Sequence, residues 1–309
     1  MRPKLHPLLA AALAYTLWGL FPLYFRQLQG VGALEIVLHR SVWALVFLLM
    51  VLAAMRRFGW LASVLGDRRQ LGRFMLSAVL LSVNWLVYVW AVNHDHVIDA
   101  SLGYFINPLV SVLLGFVVLR ERLRALQWLA VALAAAGVLW LTLQAGQLPW
   151  IALTLAVSFG FYGLLRKTAT LGALEGLALE TMLLAPFAIA ALTWGALRGD
   201  SAAVRGDLAT WAWLVLAGPL TAVPLLLFAS GARRLTLATL GLMQYIAPTL
   251  QFGLGIWLYQ EPFSAARLAG FAAIWIGLAL YTGEAAWQMR QQVGAGLRNA
   301  PVEGNSGNP

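Results

Sequence analysis

Cysteine is absent from this chain of 309 residues, so neither disulfides nor thiolate metal sites hold it together. Charge is also scarce. Charged residues make up 11% of the chain against 61% hydrophobic, too little polar surface to cover a water-soluble globule. There is no His-Glu-x-x-His motif and no pair of Asp-rich clusters, which removes an intramembrane metalloprotease and a magnesium-dependent prenyl transferase. A phosphate-binding glycine loop is missing too, so nucleotide hydrolysis drives nothing here. His94, Asp95, His96 and Asp99 alone resemble metal ligands, and in a short loop without a second cluster they read as a solvated polar turn. No cofactor is expected.

What remains is an all-α integral membrane protein. Ten apolar segments, each near the ~20 residues that a bilayer requires, fall at 7–27, 34–55, 74–93, 98–119, 126–144, 149–165, 174–197, 211–231, 236–259 and 267–287. Arg2 and Lys4 before the first run imitate a signal peptide, but the segment continues into WGLFPLYF without a cleavage site and reads as a transmembrane helix. Residues 288–309, rich in Gly, Asn, Gln and Pro, read as a disordered cytoplasmic tail. A net charge of +9 raises nucleic acid as a partner, yet the basic residues lie in short connections. With the N-terminus inside, 16 of the 21 Lys and Arg fall on the inner side, which sets topology and puts both termini in the cytoplasm. The bilayer is the expected partner and nucleic acid is not.

The chain repeats itself. Gly32-Ala33-Leu34-Glu35 recurs as Gly172-Ala173-Leu174-Glu175, and Pro108, Gly115 and Glu121 recur as Pro248, Gly255 and Glu261, all at an offset of 140. Each copy holds five spans, at 1–145 and 146–287. Five is odd, so the second copy must enter the membrane from the opposite side, giving an inverted repeat suited to alternating access.

The repeated runs around Pro108 and Pro248 carry helix-weakening residues and amides at mid-span, and both read as discontinuous helices with Pro108, Gly115, Pro248 and Gly255 as hinges. Gly241, Gln244, Pro248, Gln251 and Gly255 share one helix face, matched by Gly103, Asn107, Ser111 and Gly115. Such a face is a cavity lining or a dry small-residue packing seam. Asn84, Asn107, Gln244 and Gln251 would orient polar groups of a solute, with Ser111 beside them and Trp18, Tyr88, Tyr162 and Tyr245 supplying stacking surface. Aromatic walls with uncharged hydrogen-bonding groups suit a neutral or zwitterionic metabolite, aromatic ones included. Arg40 and Glu180 read either as charged latches at the two mouths, Arg40 near Glu261 or Asp99 and Glu180 near Arg166 or Arg233, or as snorkelling side chains. A membrane-embedded enzyme or a lipid-handling protein is the alternative class.

The run NWLVYVWAVNHDHVIDASLGYFINPLVSVLLGFVVLRERLRALQW, together with WGLFPLYFRQL, LEIVLHRSVW, FYGLLRK, LETMLLAP, VPLLLF and QYIAPTL, resembles the RarD branch of the EamA group in the drug/metabolite transporter superfamily. These motifs lie in nine of the ten segments. One departure is Gln260 before Glu261, where Gly is expected. The resemblance implies two EamA-type five-helix repeats, a place in the bacterial inner membrane, and export of small metabolites or drugs.

Overall fold

The computed structural model describes residues 6–28, 30–93, 97–145, 150–199, 201–257 and 265–298. Among them every regular element is helical: α1 (Pro7–Gly19), α2 (Phe21–Phe25), a 3-10 turn (Arg26–Leu28), α3 (Ala33–Ala54), α4 (Trp60–Leu65), α5 (Arg68–Asn93), α6 (Val97–Val117), α7 (Ala125–Ala145), α8 (Trp150–Lys167), α9 (Ala173–Leu197), α10 (Ala202–Arg205), α11 (Leu208–Ala232), α12 (Leu237–Met243), α13 (Ile246–Trp257) and α14 (Ala265–Arg298). Among the described residues six segments are long and apolar enough to cross a membrane: Pro7–Leu28, Ala33–Ala54, Arg68–Tyr88, Ala125–Gln144, Ala173–Leu197 and Leu208–Ala232. The other four segments of the sequence division coincide with α6, α8, α12 with α13, and α14. This is an integral membrane protein. Its outer surface carries bare hydrophobic side chains, Leu197, Leu208 and Phe187 among them, that only lipid would cover.

Local chemistry sets the helix limits. The Asp67 carboxylate accepts backbone N–H bonds from Arg69 and Gln70 at the start of α5, and Asp207 accepts one from Thr210 at 2.8 Å at the start of α11. Those bonds favour the charged form, so both carboxyls sit below their ordinary range, Asp67 chiefly through Gln70 N–H and Asp207 chiefly through Thr210 N–H. Beyond α3, Arg56 takes a left-handed φ of 51° and the N–H of Arg57 reaches back to the Leu52 carbonyl, a Schellman closure built without glycine.

Two expected features differ. The helix through Pro108 is continuous, whereas the one before Pro248 is broken between Met243 and Ile246. Pro248 has no N–H to give the Gln244 carbonyl, and Ala247 N–H bonds that carbonyl instead at 3.2 Å, tightening the turn. At Pro108 the same deficit leaves α6 one uninterrupted helix, packed closely on α8 and α12. A Cβ on Gly103 would stand 3.0 Å from Leu155 of α8, and one on Gly241 of α12 would stand 2.7 Å from the Pro108 carbonyl. The second difference is at the C-terminus: α14 continues as helix to Arg298, well into the segment read as a tail, and residues 299–309 lie outside the described residues.

Among the described residues the two largest of six apolar clusters make up most of the interior. The larger gathers Tyr15, Leu48, Leu52, Tyr162, Leu177, Leu225 and Phe228 from α1, α3, α8, α9 and α11. The smaller joins α6, α7, α12 and α14 through Phe105, Val112, Ala134, Tyr245 and Ile274. Small residues bring the backbones together. A Cβ on Gly137 would lie 2.6 Å from the Gly270 carbonyl oxygen, and one on Gly277 would lie 2.7 Å from that of Ala130, so α7 and α14 touch backbone to backbone.

Candidate functional site

The aromatic side chains of α1, α8 and α11 meet at the centre of the larger cluster. Trp18 lies 5.6 Å from Tyr15, 5.7 Å from Phe159 and 5.7 Å from Phe228, and Tyr162 stacks on Phe228 at 6.0 Å with 15° between planes. Gln251 Nε2 donates to the Trp18 carbonyl at 3.2 Å, tying α13 to α1. Asn84 is buried on α5 and its amide donates to the Leu155 carbonyl at 2.9 Å and to Ser158 Oγ at 3.0 Å, so its donor already serves to join α5 to α8.

A second group runs along the contact of α6 with α12. Ser111 packs against Gly241, and Tyr245 donates its hydroxyl to the Phe105 carbonyl at 3.1 Å while its ring stacks on Phe105. Gln244 is buried where α12 ends. Asn107 Oδ1 is buried without a hydrogen-bond partner. Here small residues bring α6 and α12 into close contact, and Asn107 Oδ1 is an unmet acceptor beside them. Gly115 faces the Glu121 carboxylate, which accepts from Leu237 N–H at 2.9 Å and Ala238 N–H at 3.2 Å and lies 3.5 Å from Lys167 Nζ. Its counterpart Glu261 lies outside the described residues, and Gly255 falls within α13.

The two buried charges are treated differently. Glu180 on α9 pairs with Arg166 on α8 at 3.4 Å, each side chain 1% exposed, as the latch reading expected. Ser77 Oγ donates to Glu180 at 2.6 Å, Arg166 also donates to the Ala173 carbonyl at 3.0 Å, and the Tyr162 phenol stands close by. Beside this pair a cavity of about 360 Å³ is lined by Gln70, Arg73, Ser77, Arg166, Thr168 and Thr170. Arg40 on α3 is also buried, yet no carboxylate pairs with it among the described residues. Its guanidinium carbon sits 3.3 Å over the Trp85 ring instead. Tyr88 is edge-on to both Trp85 and Tyr104, at 5.9 and 5.7 Å. The sequence reading did not single out Ser77 or Tyr104. Their signal was helical spacing: Ser77 lies two turns before Asn84, and Tyr104 one turn before Asn107.

The sites thus fall into a chain rather than one pocket. The Arg40 group leads through Trp85 to the Trp18 cluster, and Tyr162 leads on to Glu180 and Arg166.

Residues 6–143 match the model of the EamA-like transporter family. A protein of Pseudomonas aeruginosa described as an uncharacterized transporter is 46% identical over 90% of this chain and 93% of its own length. The RarD protein of Escherichia coli is 42% identical over 92% and 96%. One solved crystal structure, 20% identical, superposes with a TM-score of 0.67 over 91% of this chain and 98% of its own, a likeness of fold alone. The chain is a RarD-type member of the EamA-like transporter family in the drug/metabolite transporter superfamily, a multi-pass protein of the bacterial inner membrane.

Proposed function

We propose that this chain is a secondary transporter that exports small organic solutes by alternating access between two inverted five-helix repeats, 1–145 and 146–287, with both termini in the cytoplasm. The observation that carries the reading is the symmetry of the packing under the 140-residue offset. Gly137 approaches the carbonyl of residue 270, and Gly277, its equivalent, approaches the carbonyl of residue 130, the equivalent of 270. Phe105 and Tyr245, also 140 apart, stack on each other. The helix pairs exchange in the same way: α1 packs on α11 as α8 packs on α5, and α6 packs on α8 as α13 packs on α1. A two-fold axis in the membrane plane relates such pairs, and swapping the conformations of the halves would swap which side is open.

In this reading the aromatic chain from Trp85 through Trp18, Phe159 and Tyr162 forms the path. Tyr88, Asn107, Ser111, Gln244, Tyr245 and Gln251 border it, and Asn84 holds two of its helices together. The break before Pro248 supplies a hinge, with Pro108, Gly115 and Gly255 at related positions. The Glu180–Arg166 pair closes the cytoplasmic mouth beneath the cavity lined by Arg73 and Gln70, and Arg40 on Trp85 bridges α3 and α5 towards the other mouth. The solute is an uncharged or zwitterionic metabolite with aromatic surface to match.

The lack of native cysteine makes the test direct. Single cysteines introduced at the successive connections and labelled from either side of right-side-out vesicles should alternate in accessibility, with residues near 3 and 235 labelled only from the cytoplasm. Two consecutive connections labelled from the same side would overturn the topology. Purified protein in liposomes should move an aromatic metabolite unchanged. Recovery of a chemically altered product would favour an enzyme.

A further inference from the structure

Arg40 lies seven residues into α3 from Ala33, about 10 Å along the helix. Tyr104 is equally far into α6, and Trp85 lies eight residues, about 12 Å, before the end of α5, so the three share one level of the bundle. The guanidinium is more than nine-tenths buried, and its Nε and Nη1 have no hydrogen-bond acceptor among the described residues. Tyr24, Tyr88 and Tyr104 are close enough to interact with its charge. Glu35, the nearest acid on the same helix, is turned to Ser201 Oγ, Ala202 N–H and His39.

An unneutralised cation at this depth of an apolar span is among the most costly arrangements a membrane protein can hold, and such groups mark ligand or ion pathways. The comparison inside this chain sharpens the point. Glu180, at the offset of 140 from Arg40, is given an Arg, a Ser hydroxyl and a neighbouring phenol. Arg40 is given aromatic faces and no acceptor for two of its nitrogens. Trp85, Tyr88 and Tyr104 remain partly accessible despite their depth, which fits side chains that border an internal space.

We propose that Arg40 and the cage of Trp85, Tyr88 and Tyr104 bind the carboxylate of the transported solute. This rests on the transport reading above and narrows its substrate class: of the neutral and zwitterionic solutes, the neutral ones drop out. The unmet Nε and Nη1 lie on different edges of the guanidinium, and each offers a charge-assisted hydrogen bond to an anionic oxygen, while its flat face stays on the Trp85 indole. The phenols add O–H donors, and the rings take a flat apolar body. A carboxylate fits better than a phosphate dianion, because the cage of Arg40, Trp85, Tyr88 and Tyr104 supplies a single positive charge.

The test uses the full chain in nanodiscs, titrated with 3-phenylpropionate, its neutral amide, the matching 3-phenylpropylamine, and phenylalanine as the zwitterion, and followed by tryptophan fluorescence and calorimetry. The two carboxylates should bind at least about tenfold more tightly than the amide, and the amine more weakly still. Arg40→Gln should abolish that preference while leaving amide binding within about twofold, and Arg40→Lys should recover part of it. Equal affinity of the wild-type protein for 3-phenylpropionate and its amide, or no binding of either, overturns the proposal whether or not the variants fold. A carboxylate preference that survives in Arg40→Gln overturns it too. Flux in liposomes separates the two claims. Arg40-dependent carboxylate binding without flux would refute transport and leave the subsite standing. Flux of amide and carboxylate at the same rate in wild type and Arg40→Gln would do the reverse.

Discussion

Removing Glu180 isolates what the buried ion pair contributes. In Glu180→Ala the Arg166 guanidinium, 1% exposed, loses the carboxylate 3.4 Å away and keeps the Ala173 carbonyl at 3.0 Å and the distant face of Phe74. Ser77 loses its 2.6 Å acceptor at the same time. A buried charge stripped of its partner costs about 3–5 kcal/mol, and the orphaned hydroxyl adds about 1 kcal/mol. At roughly 2–4 °C per kcal/mol the melting point in detergent should fall by more than about 8 °C. Converting both members, Arg166→Met with Glu180→Met, removes both charges and their desolvation together. The double variant should therefore melt above the single Glu180→Met variant, with an interaction energy of about 2 kcal/mol across the cycle. The measurement is fluorescence-detected thermal unfolding of wild type, Glu180→Met, Arg166→Met and the double variant at equal detergent and salt. If the single and double variants melt together, Arg166 finds another anion or water, and the pair is not a sealed contact. Added salt should change the cycle little, because both charges lie out of solvent; strong salt dependence would contradict their burial.

Three other outcomes follow from the same structure. Gly277→Leu, which forces a side chain against the Ala130 carbonyl where even a Cβ would stand 2.7 Å away, should cost at least about 1–3 kcal/mol in the melting assay, whereas Gly195→Ala, in open space near the end of α9, should cost nothing and stabilise by up to about 1 kcal/mol. Pro248→Ala restores an N–H for the Gln244 carbonyl, so a spin-label distance from residue 240 to residue 252 should narrow to that of one continuous helix, and flux should fall at unchanged abundance. The Asp207 carboxyl is held below its ordinary range, so the cap it forms is fully present above about pH 4 and is lost only as pH falls through the lowered value; hydrogen exchange at the start of α11 should be steady from pH 8 to 5 and quicken, relative to its intrinsic rate, only in stronger acid. Asp207→Ala should show that quickening already at pH 7.

The sequence reading located the helices well because run length and polarity govern where a chain can lie in lipid, and both are visible residue by residue. For Glu180 it offered Arg166 or Arg233 as a partner, or a snorkelling side chain, and the structure places Arg166 beside it. It treated Pro108 and Pro248 alike, since the missing N–H is the same in both; the structure keeps α6 continuous through Pro108 and breaks the helix before Pro248. Asn84 was legible as an interior amide but not as a strut, because the Leu155 carbonyl it bonds is 71 residues away and a backbone acceptor leaves no mark in the sequence. The Arg40 cage escaped for a related reason. Its members come from three helices and share only a depth, and depth is not written in any one stretch of the chain.

The Glu121 carboxylate has a consequence of its own. Three stretches of the chain meet on its two oxygens: the turn after α6, the last residue of α8, and the first turn of α12, with the Lys167 ammonium also reaching the Leu235 carbonyl just ahead of α12. Two backbone donors and an ammonium would be stranded together if α12 pulled away, so the departure cannot be gradual. The junction behaves as a snap fastener, shut or undone, and any tilt of the broken helix has to reckon with that single carboxylate.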